Sequence, residues 1–180
     1  MSEEINIDFT EQLVPLNFVK KHLKVEENYT DDDELIQMYI DSAIEQVVNF
    51  TERPLAQQTT IFTTNKFQDF IFERKALNDE VEKIEYQQTA EAEILTFPST
   101  SYSVVKQGVE HYKISFKETP EAVKVQIFIK QGYTNETLPK VIKQAICLLV
   151  ADAYERRENG QVVNVTKVKS IIQSFRKWQT

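Results

Sequence analysis

The chain has 180 residues, of which 41% are hydrophobic and 27% charged, so its composition excludes wholesale disorder and its length favours one domain over two. A single cysteine excludes an intramolecular disulfide framework and suits a reducing compartment. The net charge of −7 is unevenly spread, because residues 1–58 carry 4 basic and 13 acidic side chains whereas residues 139–180 carry 8 basic and 3 acidic ones. Such asymmetry is typical of copies that meet head to tail, of a nucleic-acid contact at the basic end, or of solvated faces on a monomer.

The N-terminus lacks the apolar segment of a signal peptide, since the stretch from Met1 to Asp8 is acidic. Elsewhere no apolar run approaches the roughly 20 residues that cross a membrane. A cytoplasmic protein without membrane attachment is therefore expected.

Two helices are predicted in the first third of the chain. The first runs from Pro15 to about Lys24, because proline suits a first helical turn and lysines suit the last one. The second runs from Thr30 to Thr51, with Thr30 as N-cap and four acidic residues after it at the positive helix end. Apolar residues then recur on one face of this helix, namely Ile36, Ile40, Ala43, Val47 and Phe50.

The middle of the chain, from Thr59 to Gly132, changes to short alternating or β-branched runs separated by turn residues. In the clearest run, Val123 to Lys130, apolar residues alternate with mostly polar ones. The predicted strands are Thr59–Thr63, Gln68–Phe72, Val81–Gln87, Glu93–Thr96, Ser101–Val105, Tyr112–Phe116 and Val123–Lys130.

A third long helix is predicted from Leu138 to Glu158, opened by Pro139 and closed by Asn159 with Gly160. Its broad apolar face predicts that Cys147 is a buried, unreactive thiol.

A last amphipathic helix is predicted from Lys167 to Trp178. It either covers its own core or docks on a neighbour, and the need to order a chain end favours the first. Together the elements predict an α+β fold, in which a small helical bundle of three long or medium helices plus a terminal helix carries a β-rich insertion between the second and third helices. Within one domain of residues 1–180, the predicted parts are a helical pair at 13–55, the insertion at 56–133, the long helix at 138–160 and a terminal segment at 161–180.

The sequence contains no recognisable catalytic, cofactor or metal motif. Gly108, Gly132 and Gly160 are isolated, which excludes a glycine-rich phosphate cradle. One cysteine and two distant histidines do not form a zinc site, and the acidic run after Thr30 lacks the glycine and the distal glutamate of a calcium loop. Neither histidine lies in a motif that activates a nucleophile. We therefore expect neither an enzyme nor a bound cofactor or metal.

Two motifs are similar to those of the head-tail connector proteins, also called adaptor or head-completion proteins, of long-tailed phages and prophages. The first is LVPLNFVKKHLKVEENYTDDDELIQMYIDSAIEQVVNFTERPL at residues 13–55, and the second is YTNETLPKVIKQAICLLVADAYERRENG at residues 133–160. The strands between them and the ending SIIQSFRKW complete the order, so the resemblance covers nearly the whole chain. The family's usual ending has a Pro-Tyr-Arg step after a run of leucines, where this chain has Ser174, Phe175 and Arg176.

The resemblance implies a structural virion protein, assembled in the cytoplasm of a bacterial host, that joins the capsid portal to the tail. It implies a homo-oligomeric ring, compatible with a dodecamer and with monomeric isolated subunits, through which DNA passes without sequence-specific binding. The implied partners are copies of the chain itself, the portal protein and a downstream head-tail joining or tail protein. No catalysis is implied.

Charge and resemblance together predict a set of residues that contact neighbouring subunits or the portal. They are Arg156, Arg157, Lys167, Lys169, Arg176 and Trp178. The alternative function is that of a nucleic-acid-binding accessory protein for DNA packaging, which uses the basic C-terminal helix and binds more weakly as salt rises.

Overall fold

The computed structural model describes residues 2–7, 12–76, 79–108, 110–157 and 165–177. The chain divides into two compact units, a strand unit formed by residues 1–9 and 56–132 and a helical unit formed by residues 10–55 and 133–180. The predicted α+β fold, with strands inserted between the second and third helices, is confirmed. That the two units act as one domain stays a prediction.

The helical unit consists, in its described part, of four α-helices and a short 3₁₀ turn at Gln173–Phe175. The helices are α1 (Leu16–Leu23), α2 (Asp33–Thr51), α3 (Lys140–Glu155) and α4 (Val165–Ile172). Each predicted helix exists, but α3 ends three residues before the predicted Glu158. The predicted closing pair, Asn159 and Gly160, lies outside the described residues.

The start of α2 differs from the prediction. The helix begins at Asp33, so the prediction that Thr30 is its N-cap was wrong. The preceding residues form turns, in which the Asp33 N–H donates to the Thr30 carbonyl at 3.1 Å. Asp32 occupies the N-cap position without a side-chain cap bond, because its carboxylate is bonded to residues of the distant α3 end instead.

The core of the helical unit lies where α2, α3 and α4 pack together. Four of the five residues predicted for the apolar face of α2, Ile36, Ile40, Ala43 and Val47, are at most 1% exposed, and the fifth, Phe50, is partly buried. They pack in a unit that also buries the α3 side chains Ile142, Ala145, Ile146, Cys147, Leu149 and Val150. Each buried aliphatic side chain stabilises the fold by about 1.5–3 kcal/mol relative to exposure.

The strand unit contains two antiparallel sheets. The strands are β1 (Ser2–Ile7), β2 (Gln58–Thr64), β3 (Phe70–Glu73), β4 (Glu80–Gln87), β5 (Leu95–Thr96), β6 (Tyr102–Gln107), β7 (His111–Phe116) and β8 (Lys124–Gln131). One sheet has the order β1-β2-β8-β4-β5, and the other has the order β3-β7-β6. All seven predicted strands are present with shifted ends, and β1 was missed.

The core of the strand unit joins the inner faces of its two sheets. The alternation predicted for β8 is confirmed, because Val125, Ile127 and Ile129 are buried to 1% exposure or less. They belong to one buried cluster with aromatic residues such as Phe67 and Phe97, whose ring centroids are 4.7 Å apart. Aromatic pairs at this distance add to the stabilisation from burial.

Candidate assembly surfaces

The six predicted interface residues occupy the C-terminal part of the helical unit. Arg156 and Arg157 follow α3, Lys167 and Lys169 lie on α4, and Arg176 follows the 3₁₀ turn. Trp178 lies outside the described residues, so its position in the interface stays a prediction.

Arg157 is held at the start of α2. Its Nη1 donates to Asp32 Oδ2 at 3.1 Å, and its guanidinium lies 4.3 Å from the centre of the Tyr154 ring. The Tyr154 hydroxyl donates to the same Asp32 oxygen. Tyr154 and Asp32 raise the pKa of the Arg157 guanidinium, and the charge of Asp32 raises the pKa of the nearby Tyr29 hydroxyl. The cluster joins α2 to the end of α3 across 125 positions of sequence.

Arg156 pairs within its own helix end. Its Nε lies 2.7 Å from Asp152 Oδ1, four positions earlier. Both side chains are partly exposed, so this pair contributes little to stability.

The terminal segment is tied to the end of α2. Arg176 Nη2 lies 3.2 Å from Glu52 Oε1, and the Lys177 N–H donates to the Thr51 carbonyl at 2.8 Å. Lys169 Nζ lies 5.6 Å from the centre of the Phe50 ring. Because Val168 and Ile172 of α4 are also buried, α4 covers the core of its own unit, which was the favoured of the two predicted alternatives.

These contacts account for part of the charge asymmetry of the sequence. Two of the ion pairs join a C-terminal arginine to an N-terminal carboxylate of the same chain. Lys167 differs, because it is exposed and its ammonium group has no ion pair or hydrogen bond with another described residue. The basic end is therefore only partly available to other molecules.

A buried lysine fixes the connection between α1 and α2. Lys20 is 3% exposed, and its Nζ donates to the Glu27 carbonyl at 3.1 Å, the Tyr29 carbonyl at 2.6 Å and Asp33 Oδ1 at 2.7 Å. An ammonium has three N–H donors, so each proton has an acceptor and none is left for a ligand. The sequence prediction treated Lys20 as a favourable charge at a helix end and missed this role, because its three acceptors follow it by 7 to 13 residues.

The strand unit contains a comparable polar cluster around Asp79. Its carboxylate accepts hydrogen bonds from the N–H groups of Lys75 and Ala76 at 2.6 and 2.9 Å, and from Gln131 Nε2 at 3.0 Å. Burial raises the pKa of Asp79, although these hydrogen bonds oppose the shift. Both carboxylate oxygens thus accept from groups of the protein itself, which is the arrangement of a structural network.

Cavities lined by described residues include open grooves and a small apolar void. One groove in the helical unit is lined by residues that include Gln12, Asn17 and the already satisfied Lys20. A void in the strand unit is lined largely by Phe62, Phe70 and neighbouring apolar residues. Among the described residues, no group of three or more His, Cys, Asp or Glu side chains converges in a way that can ligate a metal ion. None of the helices in the described part of the chain combines the length and apolar character needed to span a bilayer.

The fold defines a class of α+β protein in which an antiparallel strand unit is inserted between the second and third helices of a helical unit. A family comparison is more specific, since the profile of the head completion protein family matches residues 12–177. The chain belongs to the head completion protein family, a structural and non-enzymatic family. The predicted kinship with head-tail connector proteins and the prediction that the chain is not an enzyme are thereby confirmed.

Solved structures show the same fold at low sequence identity. A chain from the neck of an empty GTA particle, computed with C6 symmetry, matches with a TM-score of 0.66 and 16% identity over 98% of this chain and 97% of that one. A chain from the virion of a native gene transfer agent (GTA) particle matches with a TM-score of 0.66 and 17% identity, covering 98% of this chain and 96% of that one. A chain from the neck of a native GTA particle, computed with C12 symmetry, matches with a TM-score of 0.64 and 16% identity, covering 98% and 97%. No curated protein sequence matches the chain significantly.

Proposed function

We propose that copies of this chain form a ring at the junction of head and tail in a phage or phage-like particle, and that the ring connects the portal to the next tail component. The observation that carries the proposal is the head completion family match, which spans residues 12–177 of the 180. The similar fold of chains from GTA necks and virions supports it. The proposed location is the virion, after assembly in the host cytoplasm.

The charge of the chain suits a channel through which DNA passes. A net charge of −7 disfavours retention of a polyanion, because sequence-independent DNA binding depends on cations that neutralise phosphates. Two arginines of the basic C-terminal end are already paired with carboxylates of the residues that cap α2, Asp32 and Glu52, which further disfavours the alternative of a DNA-binding accessory protein.

The predicted interface residues remain part of the proposal. A guanidinium has five N–H donors, so Arg157 can hold Asp32 through Nη1 and still donate to a neighbouring subunit or to the portal. Lys167 is exposed, and in the described part of the chain its ammonium group has no hydrogen bond or ion pair that competes with such a contact. We propose that these two residues, with Arg156, Lys169, Arg176 and Trp178, contact other virion proteins.

Deletion and complementation test the function. The coding sequence is deleted from the phage or prophage that carries it, and the wild-type chain is supplied separately. We expect the deletion to yield DNA-filled heads without attached tails in electron micrographs, and the supplied chain to restore tailed particles. Tailed, infectious particles formed without the chain would overturn the proposal.

The interface residues need a control that separates assembly from folding. Replacing Arg156, Arg157 and Trp178 together by alanine should stop head-tail joining while the isolated chain keeps its thermal stability. The matched variant, Asp32→Ala with Asp152→Ala, removes the same two intramolecular ion pairs but keeps the arginines. Joining that survives in the aspartate variant and fails in the triple variant assigns the three replaced residues, taken together, to contacts between proteins. Equal behaviour of the two variants rejects this role.

A further inference from the structure

One face of α2 carries acidic residues around an exposed methionine. Glu34, Met38, Asp41 and Glu45 follow one another at helical spacing, and all four are exposed, with Met38 at 55%. The face is about 16 Å long at 1.5 Å per residue. We call these four residues the acidic face. Asp41 accepts from Gln37 at 2.9 Å, and neither Glu34 nor Glu45 has an ion pair within the described parts of the chain.

A second surface of the helical unit carries lysines around an exposed phenylalanine. Phe18 of α1 is 46% exposed, and Lys143 Nζ of α3 lies 5.4 Å from its ring centre. Lys21 lies one helical turn after Phe18, and Lys140 lies one turn before Lys143. We call Phe18, Lys21, Lys140 and Lys143 the basic patch.

The lysines of the basic patch have no carboxylate partner among the described residues of their own chain, unlike two arginines of the C-terminal segment. Lys21 and Lys140 are exposed, and the ammonium group of neither has a hydrogen bond or ion pair to any other described residue. Lys143 is positioned by the backbone and side-chain oxygens of Asn135, at 2.9 and 2.7 Å, and these neutral acceptors leave its charge uncompensated. By contrast, Arg157 and Arg176 are paired with carboxylates of their own chain.

We propose that the acidic face of one copy docks on the basic patch of the next copy. The two surfaces match in charge, since each carries three ionised groups of opposite sign, and each has one large exposed apolar side chain. Met and Phe are both suited to the centre of an interface, the first because it is flexible and the second because it buries a large area. This inference rests on the proposed function, because it names the contact between subunits of the ring.

A second copy of the chain is the proposed partner because every copy carries both surfaces, the acidic face on α2 and the basic patch on α1 and α3. Such a contact is heterologous, so each copy offers its acidic face to one neighbour and its basic patch to the other, and the series closes when the rotation per copy permits. Five of the six charged side chains are exposed and the sixth, Lys143, is partly buried, so association should weaken as ionic strength rises.

Cysteine cross-linking in the full-length chain tests the contact. Met38→Cys and Lys21→Cys are combined in one chain, and a short bismaleimide is added at high protein concentration. The native Cys147 is 2% exposed and should not react. We expect a ladder of dimers, trimers and larger species from the double variant, whereas each single-cysteine variant stops at a dimer or stays monomeric. Absence of the ladder would overturn the inference.

Charge reversal then tests the complementarity. Asp41→Lys with Glu45→Lys should weaken association about 100-fold or more and remove the ladder, because like charges would face each other. Adding Lys140→Glu and Lys143→Glu to the same chain, with both cross-linking cysteines kept in place, should restore the ladder. The matched control is Glu91→Lys with Glu93→Lys on the strand unit, which changes the net charge equally and should leave the ladder intact. A ladder insensitive to reversal at α2 would reject the inference.

The same variants separate this inference from the proposed function. If the deletion strain still makes tailed particles but the ladder follows the charges, the function fails and the contact stands. If head-tail joining requires the chain but cross-linking is unchanged by the charge reversals, the proposed function stands and the proposed contact between α2 and the basic patch is rejected.

Discussion

The guanidinium of Arg176 lies 3.2 Å from the carboxylate of Glu52, so the basic end of the chain is tied to the end of the acidic helix α2 within one helical unit. The Lys177 N–H reaches the Thr51 carbonyl beside it, at 2.8 Å. A charge gradient that in the sequence is typical of contacts between molecules is thus partly satisfied inside one molecule. The cations available for contacts between molecules are therefore those whose side chains are not paired with a carboxylate of the same chain.

The packing of α4 predicts different effects at two adjacent isoleucines. Ile172 is 1% exposed, so Ile172→Ala should lower the free energy of unfolding by about 2–4 kcal/mol through lost burial and a cavity. Ile171 is 37% exposed, and Ile171→Ala should change the free energy of unfolding by about 0.5 kcal/mol or less. Urea denaturation of both variants measures the difference. Equal effects would show that α4 does not cover the core of its unit.

Replacing the buried Lys20 should destabilise the fold much more than replacing its exposed neighbour Lys21. Lys20→Met removes the ammonium that donates to two backbone carbonyls and to Asp33. Because those acceptors lose their partner, the substitution should lower the free energy of unfolding by about 2–4 kcal/mol. Lys21→Met, at an exposed position, should be nearly neutral. Denaturation midpoints and slopes provide the comparison, and a stable Lys20→Met variant would contradict the structural role.

Gly132 occupies a position that excludes a side chain. Its φ is +92°, and a Cβ built there would lie 2.3 Å from the Ala56 carbonyl oxygen. Gly132→Ala should therefore cost about 3 kcal/mol or more, as backbone strain and a steric clash combine. Gly108, with φ +69° and open space around its Cβ position, is the matched control and should cost only about 1 kcal/mol on replacement by alanine. Similar losses at both positions would show that the close approach to Ala56 is unimportant.

Asp79 predicts a specific pH dependence. Burial raises its pKa in the folded chain, so the folded state binds this proton more tightly than the unfolded state. Its contribution to stability is complete below the unfolded pKa, near about 3.9, and is lost as pH rises through the folded pKa. The free energy of unfolding of the wild type should thus fall, relative to that of the Asp79→Asn variant, as pH rises through that window. Carboxyl NMR titration gives the folded pKa directly, and a value below the ordinary one would refute the assignment.

Much of the fold follows from local sequence patterns. The spacing of Ile36, Ile40 and Val47 predicts α2, and the alternation around Ile127 predicts β8, because both patterns reflect burial on one face. Helix ends were less predictable, since Asp32 is drawn to Tyr154 and Arg157 by contacts more than 120 positions away.

The missed strand and the candidate surfaces also depend on contacts between residues that are far apart in the sequence. Two of the six residues of β1 are acidic and residues 2–5 are exposed, so only the alternation of Ile5 with Ile7 in the sequence points to a strand. Its pairing with β2 depends on a partner more than 50 residues away, which no local pattern specifies. Likewise, the sequence separates cations from anions but does not indicate which arginines are paired internally and which lysines remain available.

Purified mature particles provide the most direct measurement of the central claim. Mass spectrometry identifies the chain among the particle proteins, and cryo-electron microscopy of the head-tail junction shows where it lies. The account predicts a closed ring of this chain between portal and tail, with α2 of each copy against α1 and α3 of the next. Particles that lack the chain, or that carry it only at another location, would contradict the account.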